Sequence, residues 1–213
     1  MQPQVSLNYS SSGGSGWAGY GWSVPVQSIS VDTRYGVPTF DANTQTEVYM
    51  FNGESLHGEG GDKANRPRIV NNAPVYPSRT TGVQQFFSKQ RSAYQKIERI
   101  GNTTSTYCWV VTDANGTKSY YGTLDGSTVD ANGVQLATYG NHITTWYLRK
   151  VVDRFDNSII YTYETKSTGN TGDITGYGEI KYLKTIQYTG TGNTPGAYSV
   201  NFIVDDSGRS DTR

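Results

Sequence analysis

The feature that most constrains this chain is a series of short segments rich in β-branched and aromatic residues, separated from one another by turn signals. Two pairs of segments are clearest: residues 107–112 with 117–121, and residues 146–153 with 158–164. The first pair flanks Asn115-Gly116, a dipeptide that readily adopts the positive φ angles of tight hairpin turns. Branched and aromatic side chains favour extended backbone because they fit a pleated surface. The sequence therefore predicts serial antiparallel hairpins.

The composition argues against a helical bundle and against a disordered chain. Hydrophobic residues make up 34% and charged residues 17%, so Ser, Thr, Asn, Gln and Gly fill much of the sequence. Helices use these residues poorly, and 13% of aromatic residues is typical of chains that bury large side chains. Glycines alternate with aromatic rings over residues 17–25, which predicts a bent backbone with rings packed over bare glycines. We expect one all-β domain over residues 1–213, whose hairpins form a curved sheet or a sandwich-like wall with long irregular loops.

Two stretches do not fit a regular pattern. Residues 57–82 are rich in Gly, Asn and Pro, which predicts a long irregular excursion with short strands at 68–70 and 75–76. Residues 83–100 are ambiguous, because their apolar residues suit one face of a helix while residues 94–99 suit an edge strand. Periodicity leaves both interpretations open.

Charge and hydropathy restrict the partners of this chain. It has 18 basic and 18 acidic residues, so its formal net charge is zero and nucleic acid is not an expected partner. No segment approaches about 18 consecutive apolar residues, so we expect no membrane insertion by this chain. The N-terminus lacks the basic start and the apolar run of a signal peptide.

No sequence motif predicts catalysis, a cofactor or a metal. His57, Cys108 and His142 are scattered rather than set at the short spacings of metal ligands. Ser55 and His57 miss the spacing of a nucleophile elbow and lie near a turn. Cys108, the single cysteine, is flanked by aromatic and β-branched residues, which predicts a buried and unreactive thiol. We expect no enzyme activity and no catalytic, cofactor-binding or metal-ligating residues.

Aromatic rings on the surface are the alternative that has a recognisable chemistry. Trp17, Trp22 and Trp146 are candidates for a binding surface, because aromatic faces on a rigid sheet stack against the apolar faces of sugars. The competing explanation is that these rings form the core of a chain that is short of Leu and Ile. The sequence favours the core, and a carbohydrate-binding or adhesin-like module stays open as the alternative function.

An ordered series of short strings extends along almost the whole chain. The strings are VSLNYSS (5–11), GYGWS (19–23), SIS (28–30), GVPTFD (36–41), FNGESL (51–56), YQKIER (94–99), WVVTD (109–113), YYG (120–122), WYL (146–148), VDR (152–154), YTYE (161–164) and IQY (186–188). This series resembles the N-terminal domain of the SpvB family, which includes the Salmonella virulence plasmid B protein and the B component of bacterial insecticidal toxin complexes, which also carry Rhs/YD repeats. Residues 57–81 match no pattern of the family.

The resemblance implies a structural role rather than an enzymatic one. In such toxin complexes this domain and the Rhs repeats build a hollow β shell around a toxic C-terminal segment, and the shell docks on a pore-forming translocation component. The expected partners are therefore the remaining Rhs/YD-repeat shell and the toxic segment, in cis or in trans, and the pore component. The ADP-ribosyl transfer of some family members belongs to a separate C-terminal domain, whose Glu-x-Glu catalytic pair is absent from this chain.

The resemblance also implies secretion from a bacterium, with a cytoplasmic stage before release. It leads us to expect that the 213 residues are the N-terminal part of a larger protein, or a fragment that needs a partner. The strand predicted over residues 200–204 leaves an unpaired edge, and such edges invite pairing with further chain.

Overall fold

The computed structural model describes residues 1–34, 36–58, 68–88, 94–137, 140–168 and 178–204. Nearly all of the regular structure in these ranges is strand, with one short 3-10 helix at Ala131–Gly133. The strands are β1 Asn8–Tyr9, β2 Ser15–Gly16, β3 Gly19–Tyr20, β4 Trp22–Ser23, β5 Ser28–Val31, β6 Tyr49–Phe51, β7 Glu54–Gly58, β8 Arg68–Val70, β9 Ala73–Val75, β10 Gly82–Ser88, β11 Gln95–Gly101, β12 Cys108–Asp113, β13 Lys118–Tyr121, β14 Val134–Leu136, β15 Ile143–Val152, β16 Asn157–Thr168, β17 Gly178–Thr191 and β18 Tyr198–Asn201.

Eight strands close into an antiparallel barrel in the order β13, β12, β11, β10, β7, β6, β5 and β15. The closing strand is β15, which pairs with both β5 and β13. Trp146 of β15 lies opposite Ile29 of β5 on one edge and opposite Val134 of β14 on the other. Further along β15, Leu148 lies opposite Tyr121 of β13. The curved sheet predicted from the serial hairpins thus closes on itself.

Alternating side chains of the barrel strands form an aromatic core. Trp109 and Trp146 pack edge to face, with ring centroids 5.8 Å apart, and the ring of Tyr49 lies 4.9 Å from that of Trp109. Edge-to-face contacts are a favoured arrangement of aromatic rings. The buried core residues are Ile29, Tyr49, Phe51, Leu56, Phe86, Ile97, Tyr107, Trp109, Val111, Tyr121, Val134, Ile143, Trp146 and Leu148. Large rings therefore supply the buried surface that Leu and Ile supply in other chains.

The sheet continues beyond the barrel through β16, β17 and β18, each antiparallel to the one before it. Strands β16 and β17 are long, and the register between them shifts at two positions, which bends the hairpin. One face of this extension carries a second core of Ile159, Tyr163, Leu183 and Ile186. The N-terminal segment packs against this second core through residues that include Met1, Trp17 and Val24.

The structure resolves the segment that the sequence left ambiguous. In the described part of this segment, residues 83–88 and 95–100 belong to two paired strands, β10 and β11, rather than to a helix. Burial alternates along β11, where Ile97 and Arg99 are buried while Glu98 between them is half-exposed. Alternation with period two is the mark of a strand, and the apolar residues that suggest a helical face are those that two adjacent strands turn toward one core.

The predicted excursion at residues 57–82 is regular at several points. It begins inside β7, and β8 and β9 form a separate two-stranded hairpin. The turn of that hairpin is Asn71-Asn72, both at positive φ. The predicted strand at 68–70 is confirmed, the strand predicted at 75–76 is found at Ala73–Val75, and residues 59–67 lie outside the described part of the chain.

Candidate functional site

Trp146, predicted as one of three candidate binding tryptophans, lies inside the barrel. It is 1% exposed, and its indole Nε1–H donates a hydrogen bond to the backbone carbonyl of Tyr107. A ring that is enclosed in the core cannot stack on a ligand. The alternative of an exposed binding surface is therefore wrong for this residue, and Trp146 has the core position that the sequence favours, because β15 turns it toward the side of the sheet that barrel closure buries.

The other two candidates occupy two further environments. Trp17 is half-buried and packs against Tyr182 and Phe202, with ring centroids at 6.0 and 5.9 Å. Trp22 is 42% exposed and lies 5.0 Å from the ring of Tyr9, which is 59% exposed. The three tryptophans therefore do not share one exposed platform, and Trp22 with Tyr9 is the part of the candidate surface that a ligand can reach.

A groove lined mainly by apolar side chains runs between the N-terminal segment and the end of β18. Its volume is about 510 Å³, and its apolar lining includes Val5, Leu7, Trp17, Phe202 and Ile203. Leu7 is 58% exposed and Ile203 is 91% exposed, so water covers much of this apolar surface in the isolated chain. We call this groove together with β18 the docking edge.

The outer edge of β18 has no strand partner in the described part of the chain. Val200 lies opposite Ile186 of β17, and the Phe202 amide donates to the Lys184 carbonyl at 2.8 Å. Hydrogen-bonded and non-hydrogen-bonded pairs alternate in an antiparallel ladder, so the main-chain groups of Ser199 face away from β17. The docking edge thus combines free backbone donors and acceptors with an exposed apolar groove, which is the combination that accepts an added strand.

A buried ion pair closes one end of the barrel. The Arg79 guanidinium, with its side chain 3% exposed, donates through Nη1 and Nη2 to the two carboxylate oxygens of Glu47 at 3.0 and 2.9 Å. It also donates to the Tyr107 hydroxyl at 3.1 Å and to the backbone carbonyls of Asp41 and Thr44. Arg79, near the end of the 57–82 excursion, therefore fixes that segment and the irregular residues 41–47 to the barrel.

A second buried arginine lies beside this pair. The Arg99 guanidinium carbon lies 3.9 Å from the centroid of the Tyr107 ring, and Nη1 donates to the Tyr49 hydroxyl at 3.0 Å and to the Gln45 side chain at 3.2 Å. Its other terminal nitrogen donates to Gln84 at 2.6 Å. Stacking on an aromatic ring together with several neutral acceptors lets a guanidinium remain charged inside a protein.

Burial and these partners set the protonation behaviour of the cluster. Burial opposes the charge on Arg79, but the hydrogen bonds to Glu47 and Tyr107 outweigh it and raise the pKa of the guanidinium. Burial raises the pKa of the Tyr49 hydroxyl well above its ordinary value. Both groups therefore keep one protonation state across the physiological range, and the cluster acts as a fixed clamp.

This clamp is not among the predictions from the sequence, although the sequence contains a signal for it. In an extended chain, alternate side chains point to the same side. Glu47 is therefore on the same side as Tyr49 and Phe51, and Arg99 is on the same side as Ile97. A charged residue in register with core residues predicts a buried ion pair or hydrogen-bond network, because an unpaired charge is expensive to bury.

Two of the remaining chemistry-bearing residues, Ser55 and His142, have hydrogen-bonding partners. Ser55 and His57 lie on β7 rather than in a loop, and the Ser55 hydroxyl donates to Asp32 at 3.2 Å. His142 stacks on Phe40 with ring centroids 4.6 Å apart, and its Nδ1 lies 2.6 Å from the Thr104 hydroxyl.

Cys108 is buried as predicted, and burial raises the pKa of its thiol to about 11. A thiol with so high a pKa is protonated at neutral pH and is a poor nucleophile. Among the described residues, no group of three or more His, Cys, Asp and Glu side chains is placed to hold a metal ion.

None of the helical structure in the described ranges is long and apolar enough to cross a membrane.

The geometry defines the class of protein: an all-β domain in which a closed eight-stranded antiparallel barrel continues into an open sheet. The same fold is found in the N-terminal domain of the effector protein SpvB from Salmonella typhimurium strain LT2. The two superpose with a TM-score of 0.64 at 25% identity, covering 92% of this chain and 61% of that one. The chain belongs to the SpvB family, since the family described as Salmonella virulence plasmid 65kDa B protein matches residues 1–207.

Two further comparisons match this chain to parts of longer proteins. It is 28% identical over 195 residues to the mono(ADP-ribosyl)transferase SpvB of Salmonella choleraesuis strain SC-B67, which covers 87% of this chain and 32% of the relative. It therefore spans about a third of that relative's length. The TcdB2-TccC3-TEV structure shares the fold with a TM-score of 0.66 at 21% identity, covering 92% of this chain and 9% of that one.

Proposed function

We propose that this chain is a non-catalytic wall module of a bacterial secreted toxin complex, forming part of a β shell that encloses or presents a toxic segment. Family membership over residues 1–207 supports this proposal, as does the fold shared with chains of the TcdB2-TccC3 complexes. In each of those chains the common fold is a small part of a much longer polypeptide. The partners proposed for this chain are the rest of the shell, the toxic segment and a pore-forming translocation component.

The observation that carries the proposal is the docking edge. A strand with free main-chain groups beside an exposed apolar groove favours association. The backbone edge can pair with another strand, and the groove can bury its apolar surface against it. A neighbouring shell segment that adds a strand to β18 satisfies the backbone groups and covers Leu7 and Ile203 at the same time. A shell wall therefore explains both features with one contact.

The absence of catalysis from this chain is part of the same proposal. The matched relative is named for mono(ADP-ribosyl)transfer, but the match covers 32% of its length. We assign transferase activity, where a family member has it, to a region outside the matched part. Incubating the purified chain with labelled NAD and a eukaryotic cell lysate should transfer no label, whereas a matched full-length transferase relative should; labelling by the chain alone contradicts this assignment.

The wall role is tested by imaging the protein encoded by the full coding region together with the products of neighbouring genes. We expect a closed particle in which this domain forms part of the wall and β18 pairs with another strand. Ser199→Pro removes an outward-facing N–H and should reduce recovery of intact particles, while Ser199→Val keeps the N–H and serves as the matched control. A domain that hangs outside the particle with β18 unpaired overturns the proposal.

A carbohydrate-binding or adhesin-like module is the second candidate, and the exposure of Trp22 and Tyr9 is the observation that favours it. In that case sugars should quench the fluorescence of an exposed indole. The response should disappear in Trp22→Phe and persist in Trp146→Phe, because Trp146 is enclosed in the barrel.

A further inference from the structure

The barrel end opposite the arginine clamp contains an open cleft of about 800 Å³. Its floor includes Phe51 and Ile97, which belong to the barrel core. Its wall carries the ends of β7, β10, β11 and β12. Ligand sites favour the mouths of closed barrels, and this volume is within the range of small-molecule pockets, about 300–1,000 Å³.

Polar side chains replace apolar ones at the inward-facing positions nearest this mouth. Glu54 shares its face of β7 with Leu56, and Ser88 shares its face of β10 with Phe86. Gln95 and Asp113 hold the matching positions on β11 and β12. Four strands therefore present polar groups to the cleft at these positions.

These four side chains are organised in two hydrogen-bonded pairs. Ser88 Oγ donates to one carboxylate oxygen of Glu54, and Gln95 Nε2 donates to one carboxylate oxygen of Asp113 at 2.8 Å. Both carboxylates therefore receive neutral donors, and neither forms an ion pair with a described residue. Each keeps a second oxygen that can accept hydrogen bonds from a ligand.

An exposed aromatic ring stands at the rim of the cleft. Tyr94 lines the cleft and is 94% exposed, the largest exposure among the large hydrophobic residues of the described part of the chain. The amide side chains of Asn52 and Gln85 are also at the lining. Lys96 is a cation at the lining, and its ammonium group is 2.7 Å from a carboxylate oxygen of Glu98.

We propose that this cleft binds a neutral oligosaccharide. Vicinal hydroxyls suit a lining of carboxylate, amide and hydroxyl groups, and the exposed Tyr94 ring suits the apolar face of a sugar. The two carboxylates, which have no cationic partner among the described residues, disfavour an anionic ligand. The site is independent of the shell role and of Trp22, and it lies on residues that neither of those functions uses.

The test is a titration of the ¹⁵N-labelled full chain with three neutral probes: lactose, maltohexaose and tri-N-acetylchitotriose. We expect at least one probe to shift the backbone resonances of residues 94–97 and 112–114, and 3′-sialyllactose to bind more weakly than lactose. Tyr94→Ala should weaken binding about tenfold, and Tyr94→Trp should retain it. Tyr20→Ala, which removes a ring that is 69% exposed on β3 of the N-terminal segment, should leave binding unchanged.

Three outcomes of these titrations would contradict the proposal. No shift with any neutral probe at millimolar concentration overturns the proposal. Binding that survives Tyr94→Ala and is lost in Trp22→Ala also overturns it, since the sugar site is then at the N-terminal segment. Shifts at this cleft with N-acetyl-arginine methyl ester, without shifts with the sugars, reassign the cleft to a basic peptide.

Discussion

At the residue scale, a few buried polar groups hold the irregular parts of the chain on the regular barrel. Arg79 bonds Glu47 and two backbone carbonyls, and Arg99 is enclosed by aromatic rings and neutral acceptors. Because segments with little regular structure cannot satisfy their own carbonyl groups, side chains from elsewhere must do so. The clamp therefore stabilises both a barrel end and the loops that cover it.

Breaking the clamp should lower the free energy of unfolding substantially. Glu47→Gln leaves the buried Arg79 charge without its counterion, so we expect the free energy of unfolding to fall by about 3–5 kcal/mol in urea denaturation. The control is Glu164→Gln, which removes one partner of an exposed pair with Lys184 and should cost less than about 1 kcal/mol. Equal losses in the two variants would show that burial does not govern the Arg79–Glu47 pair.

Asp32 should give the chain part of its acid sensitivity. Hydrogen bonds from the Arg34 side chain lower the pKa of this carboxyl below its ordinary 3.8, although burial acts in the opposite direction. A lowered folded-state pKa stabilises the protein above pH 3.8, and that stabilisation is lost as pH falls through the folded-state pKa. Asp32→Asn should therefore have a lower free energy of unfolding at pH 7. Below pH 4 this free energy should fall less steeply with pH than in the unsubstituted chain, with a slope that is smaller by the equivalent of up to about one bound proton. Parallel stability curves of the two proteins from pH 7 to pH 2 would contradict this.

At the element scale, whether a segment forms a strand, and how long that strand is, depends on the neighbouring strands as much as on the segment's own sequence. Residues 83–100 carry apolar positions that suit a helix, yet they form β10 and β11 because Phe86 and Ile97 meet the barrel core from adjacent strands. The N-terminal strand is short, since β1 covers only Asn8–Tyr9 and pairs with the short β4. Close approach matters there: a Cβ on Gly21 would lie 2.8 Å from the Tyr9 ring, which confirms that a ring packs over a bare glycine.

The two edges of β18 should respond differently to proline. Ser199→Pro removes an N–H that faces away from β17, so the free energy of unfolding of the isolated chain should change by less than about 0.5 kcal/mol. Val200→Pro removes an N–H that bonds β17 and should cost about 1–3 kcal/mol. Chemical denaturation of both variants checks the assignment, and the reverse ranking would show that the outward edge is the one paired with β17.

At the scale of the whole molecule, barrel closure divides the chain into parts of different stability. The amide of Leu148 donates to the Gln27 carbonyl, and the amide of Gly122 donates to the Tyr147 carbonyl, so these bonds join β15 to neighbours on its two edges. Opening the barrel requires both seams to separate against a shared core. The small β1–β4 sheet has no comparable constraint.

Hydrogen exchange should show this division. The amides of Leu148 and Gly122 should exchange only by global unfolding, with free energies that match the denaturation value. The Ser10 amide, which bonds the Gly21 carbonyl at 2.9 Å in the small sheet, should exchange through local opening at a much lower free energy. Measurement by NMR at several denaturant concentrations separates the two classes. Uniform protection would mean that the small sheet and the barrel unfold as one unit.

The sequence by itself determined the hairpins and the fold class, because turns such as Asn115-Gly116 and alternating strand residues are local. It also carried the strings that identify the family, since these do not depend on which strands meet. Only the tertiary structure shows that the barrel closes. The strands β5 and β15 lie far apart in the chain, and no local signal indicates that Ile29 lies opposite Trp146. For the same reason the sequence left open whether Trp146 is exposed. Both faces of an aromatic-rich strand look alike until pairing of distant strands decides which face the barrel encloses.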